Sequence, residues 1–431
     1  MQEQSSPGDT ETSSVIARAA QMMTSLANAA PLYRPSRFWE TLGQQNTKML
    51  GATGITHFKR SLSQNYFNWP VKAPADPQMR VLLEAWARDP SLLPLSAEIR
   101  GPGRLESVND TTFNTNPTET RVYTLFVGLL WWYASRHDPD GVAARLEEPA
   151  SGDPVPIFQD NRPISQDLAN SLRELRRFQH QLTSDPAGTT FAEIGAGYGR
   201  LSAVARAATG CRLWIVDIPP ALAVAEWYLP TIFPEARVFR WRPFGTWEEI
   251  QDEVEGCQLA FFTVDQLPKL PSKSVSVFAT VSALHEMTPE QIGGFLMEQA
   301  RIARAGIYTK NWTDWLNEPD GFRFQSATLK PPEGWQAIFD RPDDIHASFT
   351  EKLFVPNGSP QAKANTTPDS ALIGYGFSDG RTTTELIENQ IKQLEFQRDS
   401  IAQELGLIKN SRCWRFTAPL RKLRSTFGFE R

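Results

Sequence analysis

Through the first part of the chain apolar residues recur every three or four positions, with polar residues between them. Ile16, Ala20, Met23 and Leu26 fall on one helical face. Leu168, Leu172 and Leu175 fall on another, behind Ser165, whose hydroxyl can cap a helix start. Polar loops separate these helices, among them Gly101 to Asn116, rich in Gly, Pro, Asn and Thr. The longest apolar stretch, Val122 to Tyr133, is about 12 residues and holds Thr124 and Gly128, whereas a membrane-spanning helix needs roughly 20. At Thr189 the pattern changes. Short apolar runs predict strands at 189–194, 212–217, 259–264, 275–281 and 306–310, and helical periods predict helices at 198–208, 219–229 and 289–304. Strands alternating with helices predict a parallel sheet covered on both faces. A loop-rich stretch follows, with strand-like pieces at 345–354 and 371–377. Beyond it Ile387, Ile391, Leu394, Arg398, Ile401, Leu405 and Ile408 step by four and three, the pattern of a short coiled coil or a packed helix.

This texture divides the chain into four regions: a polar, acidic tail at 1–14 expected to be disordered, a mainly helical region at 15–186, an α/β domain at 187–380, and a heptad helix with a basic tail at 381–431. Composition changes the picture in three ways. Apolar residues at 40%, with 25 Phe and 13 Trp, exclude wholesale disorder. A net charge of -5 does not suit a chain whose main partner is a nucleic-acid backbone. Three cysteines, Cys211, Cys257 and Cys413, lack metal-ligand spacing and are too few to staple the chain, so a reducing, cytoplasmic setting is expected. The first residues lack the basic-then-apolar order of a secretory signal.

The candidate chemistry lies at the end of the first predicted strand, in Glu193-Ile194-Gly195-Ala196-Gly197-Tyr198-Gly199-Arg200. Three alternate glycines let the backbone turn sharply and approach a ligand closely, at the position where doubly wound sheets bind nucleotides. A dinucleotide fingerprint would need a glycine at position 200, where this chain has Arg, so a nicotinamide-dependent oxidoreductase is disfavoured. Glu193 would also repel a pyrophosphate and welcome a cationic ligand. Asp217 ends the second strand, where a carboxylate can accept both hydroxyls of one ribose. Asp265 ends the third. After the fourth comes Ser282-Ala283-Leu284-His285-Glu286-Met287; an imidazole of ordinary pKa near 6.5 can serve as a general base, and Glu286 can be the base instead or orient it. Neither paired Asp residues nor a His cluster marks a metal site.

E-x-G-x-G-x-G followed by an acid on the next strand resembles the S-adenosylmethionine site of class I methyltransferases. The resemblance implies a Rossmann-like α/β sheet. It also implies that Gly195 and Gly197 pass under the methionine moiety, that Glu193 orients the loop, that Asp217 receives the ribose and that Asp265 faces the adenine amino group, with Tyr198, Gly199, Ile218 and Gln266 completing the cofactor contacts. Val216 to Leu222, Ser282 to Met287 and Tyr308-Thr309-Lys310-Asn311-Trp312, with Phe38-Trp39, Phe58-Lys59-Arg60, Asn65-Tyr66-Phe67 and Ile164 to Glu174 upstream, extend the likeness over roughly 30–315 to the sugar O-methyltransferases found with polysaccharide-assembly genes. That likeness implies methyl transfer to a sugar hydroxyl, with His285 and Glu286 as catalytic residues. The acceptor is expected among Lys310, Trp312, Tyr66 and Trp69, aromatic faces being suited to sugar rings.

Residues 409–431 carry seven basic residues against Glu430 alone, interleaved with Trp414, Phe416 and Phe427. This mixture suits an anionic membrane surface or a partner protein, here a polysaccharide-assembly protein, although Pro419 interrupts a continuous helix. The heptads would support a homo-oligomer. A non-catalytic scaffold in a glycan-assembly complex is the alternative from another class, and it would fail to bind the cofactor or bind it without turnover.

Overall fold

The computed structural model describes residues 7–60, 76–88, 99–104, 117–136, 138, 140–184 and 189–359. The strand expected at 371–377, the heptads and the basic tail lie outside the described residues, as do Tyr66 and Trp69.

The helices are α1 (Pro7–Ala27), α2 (Arg37–Thr53), α3 (Asp76–Ala87), α4 (Pro117–Ser135), α5 (Gln166–Thr183), α6 (Arg200–Thr209), α7 (Ala221–Ile232), α8 (Gln251–Glu255) and α9 (Pro289–Ile302). A small antiparallel sheet is made by β1 (Ile99–Arg100), β2 (Ile157–Gln159) and β3 (Arg162–Ile164). The main strands are β4 (Thr190–Ile194), β5 (Arg212–Asp217), β6 (Val238–Phe239), β7 (Leu259–Thr263), β8 (Val275–Val281) and β9 (Ala303–Trp312). A hairpin, β10 (Asp314–Asn317) and β11 (Phe322–Gln325), precedes β12 (Trp335–Pro342) and β13 (Phe349–Pro356).

The main sheet runs β12-β13-β9-β8-β4-β5-β7-β6. The six strands from β9 to β6 are parallel, and β13 is antiparallel to both of its neighbours. From β4 the order runs outward to β5 on one side and β8 on the other, which makes the β4/β8 boundary the switch point where such sheets open a ligand cleft. Register brings the strand ends level: Ile194 pairs with Val216 and Thr280, and Asp217 with Thr263.

Successive residues of each central strand enter opposite cores, as strand geometry requires. Phe191, Leu213, Ile215, Phe261 and Val277 join the core beneath α4, α5, α6 and α7. Ala192, Ile194, Val216, Phe262 and Phe278 join the core that also holds Trp39 and Phe295. The first of these cores contains Val15, Met22, Phe126 and Leu130 from the helical region. Phe178 of α5 stacks on Phe191 of β4, centroids 5.2 Å apart. The boundary near 186 therefore divides two textures and not two hydrophobic cores.

Two local expectations change. Helix α1 starts at Pro7, inside the stretch read as a disordered tail, because Thr12 is buried and its hydroxyl accepts from the Ile55 N–H at 2.9 Å. Its buried stripe is Val15, Ala19, Met22 and Leu26: Leu26 is buried as expected, the other three lie one position before the expected ones, and Met23 is 40% exposed. Arg18 fixes that rotation by pairing with Glu226 of α7 at 2.7 Å. Ser165 caps α5 as expected, accepting from the Leu168 N–H at 2.9 Å.

Candidate functional site

The loop after β4 holds three glycines at positive φ: Gly195 at 71°, Gly197 at 61° and Gly199 at 88°. A side chain at Gly195 would be strained by that backbone, and its Cβ would lie 2.5 Å from the Ala283 Cβ across the β4/β8 boundary. Gly199 closes the loop as the left-handed cap of α6. Arg200 then pairs with Glu174 at 2.6 Å and donates to Ser171 at 2.8 Å, tying the start of α6 to α5.

Asp217 and the loop hold one another. One carboxylate oxygen accepts from the Gly197 N–H at 2.8 Å and the other from the Ile218 N–H at 2.7 Å. Burial pushes the Asp217 carboxyl up to about 7, against the pull of these two N–H groups. Glu193 lies beneath the loop, its carboxylate accepting from Ser202 at 2.6 Å, and burial raises it to about 8 although Ser202 opposes the shift. Asp265 sits in the turn after β7, and its Oδ1 is buried with no hydrogen-bond partner among the described residues.

A narrow cleft, partly open to solvent, lies over the switch point. Ile194, Gly195, Asp217, Ile218, Val264 and Ala283 form its floor. Its other wall is Arg34, Ser36 and Trp39 from the approach to α2 and its first turn, with Met287, Gln291 and Phe295 from α9 and the turn before it; of these only Trp39 and Met287 fall in segments singled out in the sequence. This wall is tied down. The Ser36 hydroxyl donates to the Glu286 carbonyl at 3.0 Å, Gln291 donates to the Arg34 carbonyl at 2.7 Å, and Asp320 of the hairpin turn accepts the Arg37 and Phe38 N–H groups at 3.0 and 3.2 Å. A further local signal for it is the Ser36 cap ahead of Phe38-Trp39.

Several expected site residues point elsewhere. Tyr198 leaves the loop on the side away from the cleft and donates to Asp167 at 2.9 Å, because its ring packs edge-on against Phe58 and Tyr228 in the core. Gln266 accepts from the Thr263 N–H at 3.1 Å and donates to the Arg242 carbonyl at 2.8 Å, so it closes a capping box; of this turn Val264 lines the cleft wall, and neither Asp265 nor Gln266 does. Lys310 is fully buried between Glu174 at 3.1 Å and Asp343 at 2.7 Å, a structural ion and not an acceptor-facing one. Trp312 packs on Trp315 and Phe349.

His285 also departs from its expected character. The ring is 1% exposed, edge-on to Trp315, with Nδ1 3.4 Å from Asn311 Oδ1 and Nε2 3.4 Å from Glu286 Oε1. Burial lowers it to about 3, only partly offset by Asn311, and burial holds the Glu286 carboxyl well above its ordinary value. Burial thus disfavours the charged form of each, and the pKa near 6.5 expected for a general base does not hold here. Ala283 and Met287 on either side of the pair line the cleft, and the pair itself does not.

The parallel sheet with helices on both faces and a cleft at the switch point fits a Rossmann-like, doubly wound fold. No family model matches the chain, and no curated relative is found by sequence. Among solved structures it is similar to the mitomycin 7-O-methyltransferase MmcR, at 13% identity and a TM-score of 0.30 over 55% of this chain and 63% of that one, less than two thirds of the mitomycin enzyme. It is similar to the magnesium protoporphyrin IX methyltransferase of Synechocystis with bound SAH, at 14% and 0.32 over 44% and 86%. It is also similar to the glycopeptide N-methyltransferase MtfA complexed with S-adenosylmethionine, at 12% and 0.29 over 43% and 87%. With every score under 0.5, ligand and substrate have to be argued from the site itself.

Proposed function

We propose that this protein is an S-adenosylmethionine-dependent O-methyltransferase whose acceptor is a sugar hydroxyl of a glycan under assembly. The observation that carries the cofactor reading is the joint placement of Gly195, Asp217 and Ile218 in one cleft at the switch point, with the orphaned acceptor of Asp265 at the neighbouring strand end. The residues fit the group. The Gly195 backbone passes where a Cβ would collide with Ala283, Asp217 accepts the two ribose hydroxyls, and Asp265 Oδ1 takes the adenine amino group. When bound, the cofactor supplies an electrophilic methyl group. Position 200 is committed to Glu174, so the nicotinamide alternative loses support.

In this reading His285 and Glu286 act as a buried pair that fixes the turn between Ala283 and Met287, so they position the acceptor end of the cleft and are not a free base. The sugar assignment rests on the sequence likeness. The basic aromatic segment at 409–431 would bring the enzyme to a glycan-assembly complex or an anionic membrane surface. Among the described residues no helix is long and apolar enough to cross a membrane.

Calorimetric titration with S-adenosylhomocysteine tests the cofactor site. Micromolar binding is expected, weakened about tenfold or more in Asp217→Ala through loss of charge-assisted hydrogen bonds. A folded protein that does not bind would overturn the reading and favour the scaffold alternative.

A further inference from the structure

Residues 31–38 join α1 to α2 and lend Arg34, Pro35 and Ser36 to the cleft. Their hold on the molecule differs from that of the other walls. The floor belongs to paired strand ends, and α9 buries Ile292, Phe295 and Leu296 in the core. Of residues 31–38 only Ser36 is buried, while Leu32, Tyr33 and Phe38 are half-buried. The stretch is bounded by two core anchors, Leu26 near the end of α1 and Trp39 in the first turn of α2.

Hydrogen bonds to distant parts of the chain hold the stretch in place. Gln291 of α9 donates to the Leu32 and Arg34 carbonyls at 3.3 and 2.7 Å, and Ser36 donates to the Glu286 carbonyl at 3.0 Å. The hairpin turn between β10 and β11 supplies a charged tie. Asp320 takes the Arg37 and Phe38 N–H groups on its two oxygens, and the Ser36 hydroxyl takes that of Trp39, so the first three donors of α2 are satisfied. A carboxylate there also meets the positive end of the helix dipole. Asn317, fully buried, donates to Asp320 at 3.0 Å and to the Glu286 carbonyl at 3.2 Å. Neither Asp320 nor Asn317 lines the cleft. A segment with little buried apolar surface, held by partly exposed hydrogen bonds, opens at less cost than the core around it.

We infer that residues 31–38 are a strap that opens to pass the ligand of the cleft and closes over it, with Asp320 as a positioning residue that latches the strap shut. The identity of the ligand rests on the cofactor reading, whereas the opening does not. A ligand seated on Gly195 and Asp217 lies in a narrow cleft whose floor is fixed by the sheet, so the strap is the wall that can yield. Closing it returns Ser36 to the Glu286 carbonyl that Asn317 also holds, so an occupied cleft firms the turn from Ala283 to Met287 as well.

Hydrogen exchange on the full chain tests the strap, and surface plasmon resonance with S-adenosylhomocysteine tests the latch. In the free protein a peptide covering 31–40 should exchange about tenfold or more faster than peptides of β4 and β5, and should slow when S-adenosylhomocysteine binds. Asp320→Ala should quicken that peptide about tenfold, the scale of a lost hydrogen bond to a charged group, with β4 and β5 unchanged. It should also raise the association and dissociation rates of S-adenosylhomocysteine together, leaving affinity within about threefold, whereas a residue that merely braced the wall would raise the dissociation rate alone. Core-like protection at 31–40, exchange there that Asp320→Ala leaves unaltered, or binding rates that do not rise together would each overturn the inference. A wild-type chain that does not bind S-adenosylhomocysteine, yet whose 31–40 peptide still quickens in Asp320→Ala, would retain the strap and its latch and remove the cofactor reading.

Discussion

Asp217 is the residue whose protonation should be visible in binding. Its folded carboxyl is raised to about 7 from an ordinary 3.8, so burial favours the protonated form. The stability this contributes is present below the unfolded value and is lost as pH rises through about 7. Binding runs the other way, because only the carboxylate can accept from both ribose hydroxyls. S-adenosylhomocysteine affinity should therefore rise about tenfold between pH 6 and 8 and flatten in Asp217→Asn; titrations at several pH values that show no difference between the two proteins would contradict this. The glycine loop and Asp217 were legible in the sequence because each is a backbone or strand-end requirement tied to position. Tyr198, Gln266 and His285 were not, since spacing gives a residue's place along the chain but not the direction of its side chain or the dryness of its surroundings.

Between elements, the most concentrated interaction is the ionic seam joining α5, α6, β9 and the segment leading into β13. Lys310 bridges Glu174 and Asp343, Arg200 shares Glu174, Arg173 pairs with Asp343 at 2.8 Å, and Arg177 pairs with Glu351 at 3.0 Å. Glu174 and Asp343 are held below the ordinary carboxylate range, burial being outweighed by Arg200 and Lys310 in the first case and by Arg173 and Lys310 in the second. Lys310→Met leaves two buried carboxylates short of a partner and should cost about 3–5 kcal/mol, read as a lower urea midpoint; a loss under about 1 kcal/mol, the worth of an exposed pair, would show that the seam is not cohesive. The strands themselves were legible, with 212–217 and 275–281 falling where the apolar runs put them. The face of α1 was not. Neighbouring stripes on that helix are both apolar, and the choice was made by Arg18 meeting Glu226, 208 positions away.

At the scale of the molecule, the helical region and the sheet share a core, so neither is expected to stand alone. A chain of residues 187–380 strips Phe178 from Phe191 and Met22, Phe126 and Leu130 from the face that they cover. It should lack a cooperative thermal transition by circular dichroism; a sharp one would show that the shared core is dispensable. The sequence suggested a boundary there because period and composition report local structure, whereas a core is defined by contacts between distant segments. The antiparallel strand has a consequence for how the chain is made. Among the described residues β12 pairs with no strand except β13, and β13 also covers the edge of β9. During synthesis both edges stay bare until residues 349–356 emerge, and Arg177 and Tyr308 wait for Glu351, which arrives with that strand. The nascent protein therefore remains sensitive to protease, and a substrate for chaperones, until most of its length has left the ribosome.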